Sequence, residues 1–169
     1  MILRDATPDD FSAILALNEE FVAVLSPLSP ERLAYLHSAA ALHRVIEDDG
    51  AILAFLLAFR EGAAYDSPNY RWFSRQFERF LYVDRVVVAR GGRAMGLGTR
   101  LYHDLFAWAA RASISTITCE FNADPPNTES QRFHAKLGFR EVGRQRVAED
   151  EHLVSLQAVS IALDAQGAS

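Results

Sequence analysis

A run of β-branched residues that ends at a cluster of glycines and arginines constrains this chain most. Residues 86–110 read VVVARGGRAMGLGTRLYHDLFAWAA, so a helical pattern follows the glycines directly. Leu97, Leu101 and Leu105 recur at the spacing of an inward helix face, which predicts an amphipathic helix. A strand, a helix and a further strand in this order need a crossover, and the crossover predicts parallel strands near residues 86–121.

The rest of the chain also alternates strand and helix patterns, which predicts a mixed α/β fold. Asp49-Gly50 lies between two apolar runs and predicts a β-hairpin. Ile14, Leu17, Phe21 and Leu25 follow a helix start at TPDD and predict a first helix up to SPLSPER. Further helices are predicted from about Pro30 to Leu42, over 69–78 and over 127–138, and further strands over 81–89, 114–122 and the final antiparallel pair FREVGRQRV and HLVSLQAVSIAL.

Length and charge limit the protein class. The 169 residues predict one domain over 1–163 with a frayed tail at 164–169. A net charge of −5 argues against a nucleic-acid-binding surface, and no apolar stretch is long enough to predict a membrane span or signal peptide. Cys119 is the single cysteine, which fits a reducing cytoplasm, and the five histidines lack the spacing of a metal site.

The glycine-arginine turn itself predicts an anion site. A helix N-terminus presents unpaired backbone N–H groups and partial positive charge, and phosphate is the usual occupant of such a place. RAMGLG at 93–98 lacks the lysine-hydroxyl pair of a P-loop, and Leu101 stands where a dinucleotide fingerprint needs glycine. The stretch does match R-x-x-G-x-G in full. The alternative is a glycine-rich turn without a ligand.

VARGGRAMGLGTRLY resembles the coenzyme A signature of the GNAT acetyltransferase superfamily. NTESQRFHAKLGF, at 127–139, resembles the family's second signature, with Ser130 in place of the usual alanine. The resemblance implies a central, mostly antiparallel mixed sheet with a splayed parallel pair and helices on both faces. It implies acetyl-CoA as the cofactor, bound by Val86, Val87, Val88, Arg93, Ala94, Met95, Gly96, Leu97, Gly98, Thr99, Asn127, Ser130 and His134.

Acyl transfer to an amine needs a base, because an amine with a pKa of about 10 is protonated at neutral pH. Strand period two places Asp84 on the face of Val86 and Val88, so Asp84 is the first candidate and Glu120 the second. The alternative for Asp84 is a salt bridge, with Arg85 or Arg71 as the partner. By the resemblance, His134 occupies the position of the family's thiolate-protonating tyrosine and is a candidate for that acid. The alternatives for His134 are a hydrogen bond to the sulfur alone and a helix-surface histidine without a chemical role, and the other candidates for the acid are Tyr102, Tyr82 and Tyr70.

The acceptor side is expected in the first helices and in the loop before strand 81–89. Carboxylates and aromatic rings suit a cationic amine through ion pairing and cation–π contact. The candidates are Glu19, Glu20, Tyr70, Trp72, Phe73 and Tyr82. The alternative is that the acids face solvent and the rings pack the loop.

The predicted function is therefore an acetyl-CoA-dependent N-acetyltransferase that acts directly on a small-molecule amine. Two alternatives are kept: a non-catalytic acyl-CoA sensor of the same fold and a protein N-terminal acetyltransferase. No nucleic acid, membrane or metal is expected as a partner, and a homodimer is allowed.

Overall fold

The structure is a computed structural model that describes residues 1–147 and 152–164. The predicted tail, apart from Asp164, lies outside the described residues. The chain separates into two compact units, which we treat one at a time. The first unit comprises residues 1–65 and 83–105, and the second comprises 66–82 and 106–169. The single domain predicted over 1–163 stays a prediction.

Helices and strands alternate along the described residues, as the sequence predicts. The helices are α1 (Phe11–Glu19), α2 (Pro30–Ala39), α3 (Pro68–Gln76), α4 (Leu97–Arg111) and α5 (Thr128–Lys136), with short 3-10 helices at Pro8–Asp10 and Arg90–Met95. The strands are β1 (Ile2–Asp5), β2 (Leu42–Asp48), β3 (Ala51–Arg60), β4 (Leu81–Val88), β5 (Thr116–Asp124), β6 (Arg140–Val147) and β7 (His152–Ser160).

The first unit is built on strands in the order β1-β2-β3-β4. The predicted hairpin joins β2 to β3, and both Asp49 and Gly50 have positive φ, 49° and 81°, as a type I′ turn requires. Helices α1 and α2 pack on this sheet through fully buried Ile14 and Leu33. The apolar sides of these elements therefore form one core.

The second unit contains the start of β4 and the order β4-β5-β7-β6. Leu81 pairs with Ile117 and Tyr82 with Thr118 in parallel register, whereas β5 with β7 and β6 with β7 are antiparallel. The prediction of a mostly antiparallel mixed sheet with one parallel pair is confirmed. Helix α5 ends before Gly138, whose φ of 94° gives the predicted left-handed cap.

Helix α1 is shorter than the apolar pattern predicts. The pattern continues to Leu25, but the helix ends at Glu19. Just after Glu19, backbone hydrogen bonds link residues three apart instead of four, and the Phe21 N–H donates to the Asn18 carbonyl at 3.1 Å. The Asn18 side chain donates to the Ser26 carbonyl at 3.3 Å, which holds the chain in its turn. Phe21 and Leu25 still pack on the same core, so the pattern identified the buried side but not the helix end.

Helix α2 ends at Ala39 and not at the predicted Leu42, since Ala40 already has the extended ψ of 144° that leads into β2. Among the described residues, no helix is long and apolar enough to span a membrane.

Candidate active site

The glycine-arginine turn folds in two steps between β4 and α4. Residues 90–95 form a 3-10 helix, and Gly96 then takes the left-handed conformation with φ 68°. Its carbonyl accepts the first bond of α4, from the Arg100 N–H at 3.0 Å. A side chain at this φ is strained, so the local geometry needs glycine.

Helix geometry leaves the N–H groups of Leu97, Gly98 and Thr99, in the first turn of α4, without an acceptor four residues earlier in the helix. Leu97 and Gly98 are buried as residues, and Thr99 is half-buried. Three other helices, α2, α3 and α5, begin at a side chain that accepts from the first turn, whereas α1 continues from a 3-10 helix and has no side-chain cap. Ser29 caps α2 at 3.1 Å, Ser67 caps α3 at 3.4 Å and Asn127 caps α5 at 3.2 Å. Helix α4 has Gly96 at that position, which has no side chain to offer, so its amides suit an external anion.

Space around the backbone of the turn differs from one glycine to the next. A Cβ atom on Gly91 or Gly96 would meet nothing within 4 Å, whereas one on Gly92 would lie 2.8 Å from the Leu97 side chain. Arg90 and Arg93 are both exposed. Exposed backbone at Gly96 and two exposed guanidinium groups are features that suit a phosphate group, and we call residues 93–99 the phosphate cradle.

Strand β4 leads into this turn with alternating burial. Val83, Arg85 and Val87 are buried, whereas Asp84, Val86 and Val88 keep partial exposure. The alternation places Asp84, Val86 and Val88 on one face of the strand, as the period-two pattern predicts, although the Asp84 side chain itself is only 6% exposed.

Asp84 is held by two partners within the first unit. Arg85 Nε donates to Oδ2 at 2.8 Å, and the Tyr65 hydroxyl donates to Oδ1. The side chains of Asp84 and Arg85 are only 6% and 5% exposed. Arg85 also donates to Asn18 Oδ1 at 2.9 Å and to Ser26 Oγ at 3.1 Å, which satisfies its buried charge. The salt bridge considered for Asp84 is thus present, with Arg85 as its partner.

Tyr65 is the partner that the sequence patterns did not identify for Asp84. Its ring stacks on Phe59 with centroids 4.5 Å apart, which fixes the hydroxyl toward the carboxylate. The sequence does show an aromatic residue in the loop before α3, but the spacing of residues along the chain does not indicate that Tyr65 contacts Asp84 on β4.

Asn127, Ser130 and His134 form a local chain of contacts in the second unit. The Ser130 N–H donates to Asn127 Oδ1 at 3.2 Å. His134 Nδ1 lies 2.8 Å from the Ser130 carbonyl and 3.1 Å from Ser130 Oγ. Because a carbonyl only accepts, we assign the ring proton to Nδ1, which leaves a lone pair at Nε2.

The surroundings of His134 are aromatic. Phe121, Phe133 and Phe139 lie with ring centroids 5.8, 5.1 and 5.4 Å away, and the residue is 4% exposed. Burial lowers the pKa of His134 below its ordinary value, because the charged ring loses solvation. The arrangement favours a neutral ring that accepts at Nε2.

Glu120 contacts another predicted residue of the second unit. The Tyr82 hydroxyl donates to Glu120 Oε1 at 2.8 Å. Tyr82 is fully buried, and its ring lies 5.7 Å from both Tyr70 and Phe73. The second base candidate therefore has a fixed phenol partner.

The residues predicted to bind the acceptor amine fall into two groups: carboxylates exposed to solvent and aromatic rings packed inside the protein. Glu19 and Glu20 are exposed at the end of α1. Tyr70 and Phe73 are 3% and 0% exposed, and half-buried Trp72 packs edge-on against Phe73 at 5.3 Å. A Cβ atom on Gly143 would lie 2.4 Å from the Trp72 ring, so the indole covers bare backbone there. These rings have a packing role, and their role in acceptor binding stays a prediction.

The family model described as the Acetyltransferase (GNAT) family matches residues 10–139. The chain therefore belongs to the GNAT acetyltransferase family, whose coenzyme is acetyl-CoA. A comparison with curated proteins found no match.

Solved structures share the fold at low sequence identity. A ribosomal-protein-alanine N-acetyltransferase from Brucella melitensis is 19% identical with TM-score 0.73, covering 95% of this chain and 100% of its own. Ard1 from Thermoplasma volcanium is 15% identical with TM-score 0.78, with 96% and 98% covered. The yncA protein from Salmonella typhimurium, solved with its cofactor acetyl-CoA, is 18% identical with TM-score 0.71, with 100% and 97% covered.

Proposed function

We propose that this protein is an N-acetyltransferase that transfers the acetyl group of acetyl-CoA directly to the amine of a small molecule. The observation that carries the proposal is the phosphate cradle, where α4 begins at a left-handed glycine beside exposed arginines. Acetyl-CoA supplies an acetyl thioester that is already activated for transfer.

The cradle residues bind the coenzyme through its diphosphate. The N–H groups of residues 97–99 would hold the diphosphate, and Arg93 would add a charge-assisted contact. Val86, Val87 and Val88 lie just before the cradle on β4, so their main chain is assigned to the pantetheine arm. Asn127, Ser130 and His134 stay predicted coenzyme contacts of the second unit.

Asp84 is the proposed base for the acceptor amine. Tyr65 and Arg85 hold its carboxylate in one orientation, which places the proton acceptor without further ordering. Glu120 is the second candidate, because the Tyr82 hydroxyl orients its carboxylate in the same way.

His134 is less suited to donate a proton than the tyrosine whose position it takes. With the proton on Nδ1 and bonded to the Ser130 carbonyl, Nε2 of the neutral ring accepts. An acid role needs the charged ring, and the lowered pKa opposes that form at neutral pH. We therefore assign His134 to contact and orientation, and keep Tyr82, Tyr70 and Tyr102 as acid candidates.

A small acceptor is favoured by the contacts that hold the loop at 61–65 within the first unit. The Tyr35 hydroxyl donates to the Ala64 carbonyl, and the Arg32 guanidinium lies 5.6 Å from the Tyr65 ring. A loop held in this way suits a covered acceptor site more than an open peptide groove. A protein N-terminus is the second candidate acceptor, because the Brucella relative is a ribosomal-protein-alanine N-acetyltransferase.

The test is acetyl transfer from acetyl-CoA to a panel of small amines and peptides with free N-termini. Asp84→Asn should lower kcat about 100-fold, with the acetyl-CoA Kd unchanged. The matched control is Asp104→Asn, which removes a carboxylate paired with Arg44 at 3.0 Å outside the candidate site.

Three outcomes would change the proposal. Full turnover by Asp84→Asn removes Asp84 as the base. Faster acetylation of peptides than of small amines moves the assignment to a protein acceptor. Acetyl-CoA binding without transfer to any amine supports the sensor alternative.

A further inference from the structure

One aromatic ring of the first unit connects the core to both arginines of the glycine-arginine turn. Phe21 follows α1, is half-buried and packs against the cluster that contains Ile14 and Leu17. The guanidinium carbon of Arg93 lies 5.0 Å from its ring centroid, and that of Arg90 lies 5.9 Å away. Both distances are within the range of cation–π attraction.

Placing two arginine side chains beside one ring, ready to bind the same ligand, has two energetic costs. Their like charges repel, and each arginine side chain loses rotamer entropy when it binds a phosphate. The electron-rich ring attracts both cations and restricts where they lie. An arginine that is already placed loses less entropy on binding, and the ligand binds more tightly as a result.

We propose that Phe21 is a positioning residue for the phosphate cradle, which holds Arg93 and Arg90 ready for the coenzyme's diphosphate. The inference rests on the proposed function, because it needs the diphosphate to bind at residues 93–99. Phe21 touches neither the coenzyme nor the reacting atoms in this proposal and acts through the arginines alone.

A ring that only filled the core would behave differently. Its truncation would lower the stability of the chain and weaken every ligand alike. A positioning ring affects ligands that carry phosphate and leaves a phosphate-free ligand unchanged. Ligand discrimination is therefore the decisive measurement.

The variants of Phe21 distinguish the effect of losing the aromatic π face from the effect of losing apolar volume in the core. Phe21→Leu keeps an apolar side chain in the core and removes the π face, whereas Phe21→Tyr keeps both. The matched control is Phe11→Leu. Phe11 is a half-buried ring against the same core cluster, and its ring neighbours are His37 at 5.0 Å and His43 at 6.5 Å.

Calorimetric titration of each full-length variant uses three probes: acetyl-CoA, inorganic pyrophosphate and S-acetylpantetheine, which has the thioester arm but no phosphate. Phe21→Leu should raise the Kd of acetyl-CoA about threefold to tenfold and that of pyrophosphate similarly. S-acetylpantetheine should bind as it does to the wild type. Phe21→Tyr should restore the acetyl-CoA Kd, and Phe11→Leu should leave all three values unchanged.

A double-mutant cycle tests whether Phe21 acts through Arg93. Arg93→Ala should weaken acetyl-CoA binding several-fold less in the Phe21→Leu background than in the wild type, because the ring has then already ceased to place the guanidinium. Equal losses in both backgrounds overturn the positioning role.

The remaining outcomes are also decisive. Equal weakening of all three probes by Phe21→Leu, or an equal effect of Phe11→Leu, identifies a packing residue and overturns the inference while the proposed function stands. A wild-type chain that binds S-acetylpantetheine but neither acetyl-CoA nor pyrophosphate overturns the cradle and the inference together.

Discussion

The candidate residues of the two units differ in what satisfies their hydrogen bonds. In the first unit, α4 begins at Gly96, and the amides of 97–99 have no acceptor within the helix. In the second unit, α5 begins at Asn127, whose side chain accepts from the Ser130 N–H, and Ser130 in turn accepts from His134. One helix start has a glycine at the cap position, and the other is capped by a side chain.

This difference separates a helix start whose first amides have no capping side chain from one whose first turn a side chain already caps. Relative to alanine, a capping side chain stabilises a helix by about 1 kcal/mol, whereas replacing the cap by glycine costs only about a few tenths of a kcal/mol, so a helix can begin at glycine with its first amides uncapped and lose little stability. Substitutions at the start of α4 should therefore change coenzyme affinity, whereas those at the start of α5 should change stability first.

The largest effect is expected from Gly96→Glu. A side chain at φ 68° is strained, and its carboxylate would lie in the phosphate cradle, so the acetyl-CoA Kd should rise about 100-fold or more. Gly50→Glu is the control, because Gly50 also has positive φ and open space but lies in the β2–β3 turn. Titration with acetyl-CoA measures both, and retained affinity in Gly96→Glu would refute the cradle.

Arg93→Ala should have the next largest effect, raising the acetyl-CoA Kd about tenfold through loss of one charge-assisted contact. The dependence of log Kd on log salt concentration should become shallower. Arg111→Ala is the control, since it removes an exposed arginine from the other end of α4. If the two variants weaken binding equally, general charge attraction explains the affinity and the comparison of the two helix starts fails.

Asn127→Ala should lower the free energy of unfolding by about 1 kcal/mol, because the Ser130 N–H loses its acceptor. Asn127→Asp keeps an acceptor there and should be close to the wild type in chemical denaturation. Ser29→Ala removes the cap of α2, whose bond to the Arg32 N–H is 3.1 Å, and should cost a similar amount. A loss of coenzyme affinity in Asn127→Ala as large as that in Arg93→Ala would break the comparison.

The smallest effect is expected in the pH dependence of stability. The pKa of His134 is lowered in the folded chain, whereas an unfolded histidine has a pKa of about 6.5. The unfolded state therefore takes up the proton first, so this contribution to stability is present above about pH 6.5 and is lost as the pH falls below it.

Between pH 7.5 and pH 5, the free energy of unfolding of His134→Gln should fall less steeply with decreasing pH than that of the wild type, as chemical denaturation at each pH measures. His103→Gln replaces an exposed histidine of α4 and should leave the slope unchanged. An unchanged slope in His134→Gln would show that its ring is not held neutral by burial.

The sequence by itself determined the elements and the family, because both depend on neighbours along the chain. Period-two and helical patterns, the Asp49-Gly50 turn and the left-handed Gly138 are local signals, and the structure has each of them. The R-x-x-G-x-G stretch and the helix signature are also local, and they were sufficient to predict the GNAT fold and acetyl-CoA.

Only the tertiary structure decided what each candidate side chain touches. Asp84 has Tyr65 and Arg85 as partners, and Arg93 lies over Phe21, because loops distant in sequence pack on the same core. The folded chain lowers the pKa of His134 by burying it among aromatic rings, and it places Nδ1 2.8 Å from a carbonyl oxygen. Burial and hydrogen bonding depend on which elements pack together, and a local pattern does not contain that information.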